Sequence, residues 1–287
     1  MTASPFIITA ISEYALQLLQ KHPFGIIHSV YRKTINLSLN GQLLALQTYT
    51  SPLSPLSLIT KLNAEQMECL PVKEGDPVTI QNGVLSLHHC CMFSWNAAYI
   101  HNLKLSEQIP KTQIPSLTSL IRETLSMQSA GGFELLFTDK IPPDDTLILV
   151  AARKYLSKTR TYLLQRHWNE ASHTLCRLIG LGLGLTPSGD DFLCGVLAGL
   201  HLCGLLSHPF YPALSSQIQV HLTDTNDISA AFLHCALQGQ FSLAVNRLPS
   251  MISASQILSV FREIGHSSGT DTLCGIYYVL STLPLLT

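Results

Sequence analysis

Apolar and polar residues alternate along the first third of the chain, and the period then lengthens. Residues 26–39 are rich in β-branched and aromatic side chains, Asn40-Gly41 supplies a two-residue turn, and Gln42-Leu43-Leu44-Ala45-Leu46 continues outward. The design recurs in Pro77-Val78-Thr79-Ile80-Gln81, Asn82-Gly83 and Val84-Leu85-Ser86-Leu87, because Asn-Gly tolerates the positive φ of a type I′ turn. Two hairpins are predicted. Residues 12–19 have the spacing of a short helix, and the Ser/Pro segment 51–57 reads as a loop.

Beyond Ile109-Pro110 the spacing becomes helical. Leu117, Leu120, Ile121 and Leu125 mark one face, residues 146–167 give one or two helices, and 168–179 close with Gly180 as C-cap. Further helices are predicted at 192–206, 213–222, 228–238, 255–264 and 271–283. The fold class is therefore α+β. A β-rich domain over 1–110, built as a small sheet or partly closed barrel, precedes a mainly α-helical domain over 111–287 with an internal pseudo-repeat.

That repeat is the most informative feature. Ser188-Gly189-Asp190-Asp191-Phe192-Leu193-Cys194-Gly195 and Ser268-Gly269-Thr270-Asp271-Thr272-Leu273-Cys274-Gly275 share six of eight residues without a gap, 80 positions apart. Each copy follows a glycine, Gly184 or Gly265, and precedes an apolar helical run, so each delivers a helix N-terminus. The structural reading is that Ser188 with Asp191, and Ser268 with Asp271, form S-x-x-D capping boxes. Capping leaves Gly195 and Gly275 unexplained, since glycine inside a helix costs about 1 kcal/mol relative to alanine. Close packing of two helix backbones around a pseudo-twofold centre explains them, and Gly199 lies one turn from Gly195 on the same face.

If the copies pack together, two helix N-termini converge and their free N–H groups favour an anion, with Gly180, Gly182 and Gly184 keeping the approach open. Asp190, Asp191 and Asp271 at the same ends repel an anion unless they cap, or unless Mg²⁺ or a similar hard cation bridges them. A third reading has one Asp accept the N–H of an amide or ureido group while the Ser hydroxyls donate to carbonyls. Candidate catalytic residues are Asp191, Asp271 and His266, the last a general acid or base near neutral pH. Candidate ligand-binding residues are Gly182, Gly184, Thr186, Ser188, Gly189, Asp190, Ser268, Gly269 and Thr270, with Asp190, Asp191 and Asp271 as the ligands if a metal is held. Pro187 fixes the turn into the helix. His88-His89-Cys90-Cys91 reads as packing, because adjacent strand residues face opposite sides and do not grip one ion. Residues 229–239, with Ser229, read as scaffold unless that serine faces the site.

Composition narrows the function classes. Of 287 residues, 46% are hydrophobic and only 12% charged, against roughly 25% charged in an average domain, which excludes disorder. A net charge of -1, without a basic run, argues against a nucleic-acid partner. The longest apolar run, 192–206, falls short of the ~20 residues that span a bilayer, so no membrane partner is expected. Residues 1–10 lack Lys and Arg, unlike a signal peptide, and the eight scattered cysteines suit reduced thiols, so the expected location is the cytoplasm. No P-loop, G-x-S-x-G, H-E-x-x-H or G-x-G-x-x-G motif occurs.

The strings Gly182-Leu183-Gly184-Leu185-Thr186-Pro187-Ser188-Gly189-Asp190-Asp191 and Gly265-His266-Ser267-Ser268-Gly269-Thr270-Asp271-Thr272 carry a resemblance. With Ile35-Asn36-Leu37 in the N-terminal region, the chain resembles a bacterial family of formerly unknown function that contains the AllH-type subunit of oxamate carbamoyltransferase. Leu183 stands where the family pattern leads one to expect proline. The resemblance implies a transferase subunit in allantoin and purine nitrogen catabolism, converting oxalurate and phosphate to oxamate and carbamoyl phosphate. Its implied partners are other subunits of the complex, a small anionic ureido or carbamoyl substrate, and phosphate. It carries no established catalytic residue, so the site list rests on the motifs. The alternatives are a stand-alone metal-dependent hydrolase or transferase of a small amide or ureido compound, and a non-catalytic assembly subunit.

Overall fold

The computed structural model describes residues 4–128, 131–139 and 146–286. The chain separates into two compact units, Met1–Leu103 and Lys104–Thr287. In the first lie β1 (Phe6–Ser12), α1 (Glu13–Lys21), β2 (Phe24–Tyr31), β3 (Thr34–Leu39), β4 (Gln42–Gln47), β5 (Ser57–Thr60), α2 (Ala64–Glu68), β6 (Pro77–Gln81), β7 (Val84–Leu87), β8 (Cys91–Ser94) and β9 (Tyr99–His101).

The strands follow the order β5-β4-β3-β2-β6-β7-β8-β1, and β1 pairs back onto β5 through Ile8–Thr60, Ala10–Ile59 and Ile11–Leu58. Eight strands thus close into a barrel, with β9 added in parallel to the end of β1 at Ala10–Tyr99 and Ile11–Ile100. Closure needs no polar interior: Ile8, Ile27, Ile35, Leu46, Leu85 and Phe93 are fully buried. Both Asn-Gly turns form as expected, with φ 51° and 78° at Asn40-Gly41 and the same pair at Asn82-Gly83.

Three local features differ from the sequence reading. The run 26–39 is two strands, broken at Arg32-Lys33, so β2, β3 and β4 form a meander. Helix α2 is short and escapes periodicity, although Asn63 and Gln66 make a reciprocal capping box at its start. His88, His89 and Cys90 lie in the turn between β7 and β8, not on a strand; both histidines have positive φ, all three residues are exposed, and only Cys91 is buried. All eight cysteines are free thiols.

The second unit contains α3 (Ile114–Met127), α4 (Leu147–Leu164), α5 (Trp168–Leu175), α6 (Ser188–Leu202), α7 (Phe210–Val220), α8 (Asp227–Leu237), α9 (Leu243–Arg247), α10 (Ala254–Arg262) and α11 (Ser268–Leu286). A 3-10 turn, Phe133–Leu136, precedes α4. Serine, threonine and asparagine caps set many of the starts: Thr146 on α4, Asn226 on α8, Ser242 on α9 and Ser253 on α10. No helix among the described residues is long and apolar enough to cross a membrane.

Helices α6 and α11 form the centre and share the most extensive helix contact in the unit. Their glycines make it possible. A Cβ on Gly195 would overlap the Thr272 carbonyl oxygen, one on Gly275 would overlap the Phe192 carbonyl oxygen, and one on Gly199 would lie 2.9 Å from the Val279 Cβ. Backbone therefore meets backbone at the crossing, and the pseudo-twofold helix pair inferred from the repeat is present. Phe192 seals one side, stacked on Phe137 at 6.0 Å and tilted against Tyr278 at 5.7 Å.

Gly195→Ala and Gly275→Ala are each expected to lower stability by about 2 kcal/mol or more, because the clash falls on backbone that cannot turn aside. Denaturant unfolding checks this. A gain of about 1 kcal/mol, as helix propensity alone dictates, would refute the crossing geometry.

Candidate functional site

The crossing of α6 and α11 near their starts brings the two motif copies together, and their hydroxyls and carboxyls interlock. Pro187, not Ser188, is the N-cap of α6 and offers no side-chain cap; the Asp190 and Asp191 N–H groups donate to the Pro187 carbonyl at 2.9 and 3.2 Å. In α11 the Asp271 N–H donates to the Ser267 carbonyl at 2.8 Å. The capping boxes expected at Ser188–Asp191 and Ser268–Asp271 are therefore not formed. Each serine sits one position inside its helix and acts on the other copy: Ser188 lowers the Asp271 carboxyl, and Ser268 lowers that of Asp191. Thr186 joins the second set, with its hydroxyl 2.8 Å from that of Ser268.

The three aspartates have different surroundings. Asp190 is structural: Oδ1 accepts the Gly180 N–H at 2.9 Å, and Oδ2 accepts the Thr225 hydroxyl at 2.6 Å. Burial raises its carboxyl above the ordinary range, and those two donors, with Ser229 weakly beside them, pull it back. Ser229 is buried, and among the described residues its hydroxyl has no hydrogen-bond partner. Asp271 is fully buried; its Oδ1 accepts the Phe133 N–H at 2.7 Å, while Oδ2 has no partner among the described residues. Burial pushes its carboxyl up to about 7 against the pull of Phe133, Ser188 and Ser267. Asp191 is the more accessible of the facing pair, yet its Oδ2 is buried without a partner. Burial, and then the neighbouring Asp271 charge, hold Asp191 well above the ordinary carboxylate range.

Two unpartnered carboxylate oxygens at one crossing are the unusual element. Such atoms cost free energy unless they share a proton or receive a donor. Among the described residues no group of three or more His, Cys, Asp or Glu side chains is arranged to hold a metal ion. Oxygens of this kind accept a proton or an N–H group.

The remaining candidates separate into two kinds. Gly189 and Gly269 are buried packing positions, where a Cβ would overlap the carbonyl oxygens of Leu178 and Phe261. The Gly189 N–H already donates to Leu181 at 2.8 Å, so it is not free for an anion. Thr270 is buried beside them. Gly182 is bound to the helix start, a Cβ there meeting the Ser188 nitrogen, and its φ of 142° suits glycine. Gly184 has φ 97° and open space around it, flanked by the exposed Leu183 and Leu185. His266 is exposed and occupies the position in the second copy that Thr186 occupies in the first. The sequence reading missed Gly131-Gly132-Phe133-Glu134, whose Phe133 N–H reaches Asp271; nothing in the repeat signals a third segment so far upstream.

Two family models match the chain. One, described as oxamate carbamoyltransferase subunit AllH, matches residues 178–280 and contains both motif copies. The other, described as the AllH family N-terminal domain, matches residues 7–100, the barrel. The chain belongs to the AllH family. No solved structure matches it.

A carboxyl raised on folding binds a proton more tightly in the native state, so stability falls as pH rises from the unfolded value near 4 to the folded value of about 7. Asp271→Asn removes that slope. Across this window its stability relative to wild type is expected to improve by about 2–4 kcal/mol, read from denaturant curves at stepped pH. Parallel curves would show that Asp271 is ionised throughout.

Proposed function

We propose that this chain is a subunit of an oxamate carbamoyltransferase-like complex that converts oxalurate and phosphate to oxamate and carbamoyl phosphate in allantoin nitrogen catabolism. The observation that carries the reading is the pair of unpartnered oxygens, Asp191 Oδ2 and Asp271 Oδ2, framed by Ser188, Ser268 and Thr186 hydroxyls. A ureido group presents N–H donors to carboxylates and a carbonyl to hydroxyls, which matches that inventory. Membership of the AllH family supports the same substrate class.

In this reading a phosphate oxygen attacks the ureido carbonyl carbon of oxalurate. The bond from that carbon to the oxamate nitrogen breaks, and the nitrogen takes a proton to leave as the oxamate amide. Asp191, the accessible member of the pair, holds that proton at neutral pH and delivers it; the proton released by monohydrogen phosphate restores the pair. Asp271 acts as a positioning residue through Ser188 and through its charge on Asp191. Other subunits complete the enzyme.

Carbamoyl phosphate formation is measured from oxalurate and phosphate with the natively purified complex and with the same complex carrying Asp191→Asn. A loss of about 10²-fold or more in kcat from an intact complex is expected, the usual scale for general acid catalysis. Equal activity would reduce the motif to packing, and absence of activity in the wild-type complex would overturn the substrate assignment.

A further inference from the structure

The two motif copies are nearly symmetric in sequence, but the third segment that meets them is not duplicated. Residues 131–134 run Gly-Gly-Phe-Glu and lead into the 3-10 turn Phe133–Leu136. Glu134 is completely buried, and its two carboxylate oxygens accept the Gly131 N–H at 2.8 Å and the Gly132 N–H at 2.9 Å. With those N–H groups spoken for, the next one, Phe133, points at Asp271 Oδ1 at 2.7 Å. Gly132 has φ -97°, which any residue adopts, so conformation does not demand glycine there; space does, because a Cβ would stand 2.5 Å from Asp271 Oδ1. Among the described residues no backbone N–H donates to the Asp191 carboxyl, which is lowered by the hydroxyls of Ser268 and Thr186, groups that can accept a proton as readily as donate one.

A backbone N–H can only donate, and it bonds an ionised carboxylate more strongly than a neutral acid. We propose that the Gly131–Glu134 segment decides which of the two motif carboxyls is the base: it fixes Asp271 as the group that ionises first and leaves Asp191 protonated. The titratable groups facing the pair are Asp190 and Cys194 from α6, Cys274 from α11, and Glu134 itself. Among the described residues none of these is a cation, so the donors set the order. Burial raises both carboxyls above the ordinary range, so burial alone does not order them. Glu134, Gly132 and Phe133 are positioning residues, since they act on the pair through Asp271. The assignment of the proton stands independently of the substrate; its consequence for turnover rests on the reading under Proposed function.

The test uses the full chain with ¹³C-labelled aspartate carboxyls, followed by NMR from pH 5 to 9, with Asp191→Asn and Asp271→Asn used only to assign the two resonances. In the wild type the Asp271 carboxyl is expected to ionise at least one pH unit before Asp191. Glu134→Gln frees one of the two glycine N–H groups, and the gap is expected to narrow by about one pH unit, the scale of one charge-assisted hydrogen bond. Gly132→Ala, which displaces Asp271 Oδ1 directly, is expected to narrow it in the same direction if the glutamine variant fails to fold. Ionisation of Asp191 first, simultaneous ionisation, or two ionised carboxyls throughout the range would overturn the proposal from the wild type alone. An unchanged gap in a folded variant would overturn the role of the segment. The substrate assignment fails separately, by the absence of carbamoyl phosphate formation.

Discussion

Two helices that touch backbone to backbone impose the rest of the second unit. At the crossing of α6 and α11 no side chain separates Gly195 from Gly275, so the axes lie closer than side-chain packing allows. That proximity places each helix start within reach of the other's first turn. Ser188 and Ser268 then act on the aspartate of the opposite copy. Glycine at the crossing and serine at the helix starts are one device, since the close approach is what brings each serine to the opposite aspartate.

The carboxyls are held almost without charge compensation. Asp190, Asp271 and Glu134 are buried, yet what lowers each aspartate is a hydroxyl or a backbone N–H. Oriented neutral dipoles can carry a buried anion as well as a cation can, provided the scaffold pays for their alignment before the charge arrives. Here alignment comes from the rigid helix pair, from the Gly180 turn beneath Asp190, and from the Gly131–Glu134 segment beside Asp271. The result is a pair of acids whose protonation answers to geometry near neutral pH.

Much of this architecture was legible in the sequence, for identifiable reasons. Asn-Gly turns report their φ directly, so both hairpins could be placed, and the repeated glycines inside apolar runs pointed to the paired helices. Barrel closure was not legible, because the β1–β5 pairing joins residues about fifty positions apart and leaves no local trace. The serines were misread for an instructive reason: S-x-x-D describes a cap only when the serine precedes the helix, and Pro187 moves the start by one residue. Asp191 and Asp271 stand out in the sequence because their surroundings repeat, whereas Glu134 does not. A lone glutamate beside two glycines has no pattern, and its meaning arises only from the N–H groups that the turn aims.

A symmetric site built within one chain is free in a way that a site between identical subunits is not. In a homodimer every substitution appears twice, so both halves must suit both tasks. Here position 186 carries threonine and its counterpart, 266, carries histidine, while Asp190 faces Thr270 across the repeat. Each half has been able to specialise without disturbing its mate. An enzyme that must hold two unlike reactants side by side gains from starting with two like half-sites and letting each drift toward one of them.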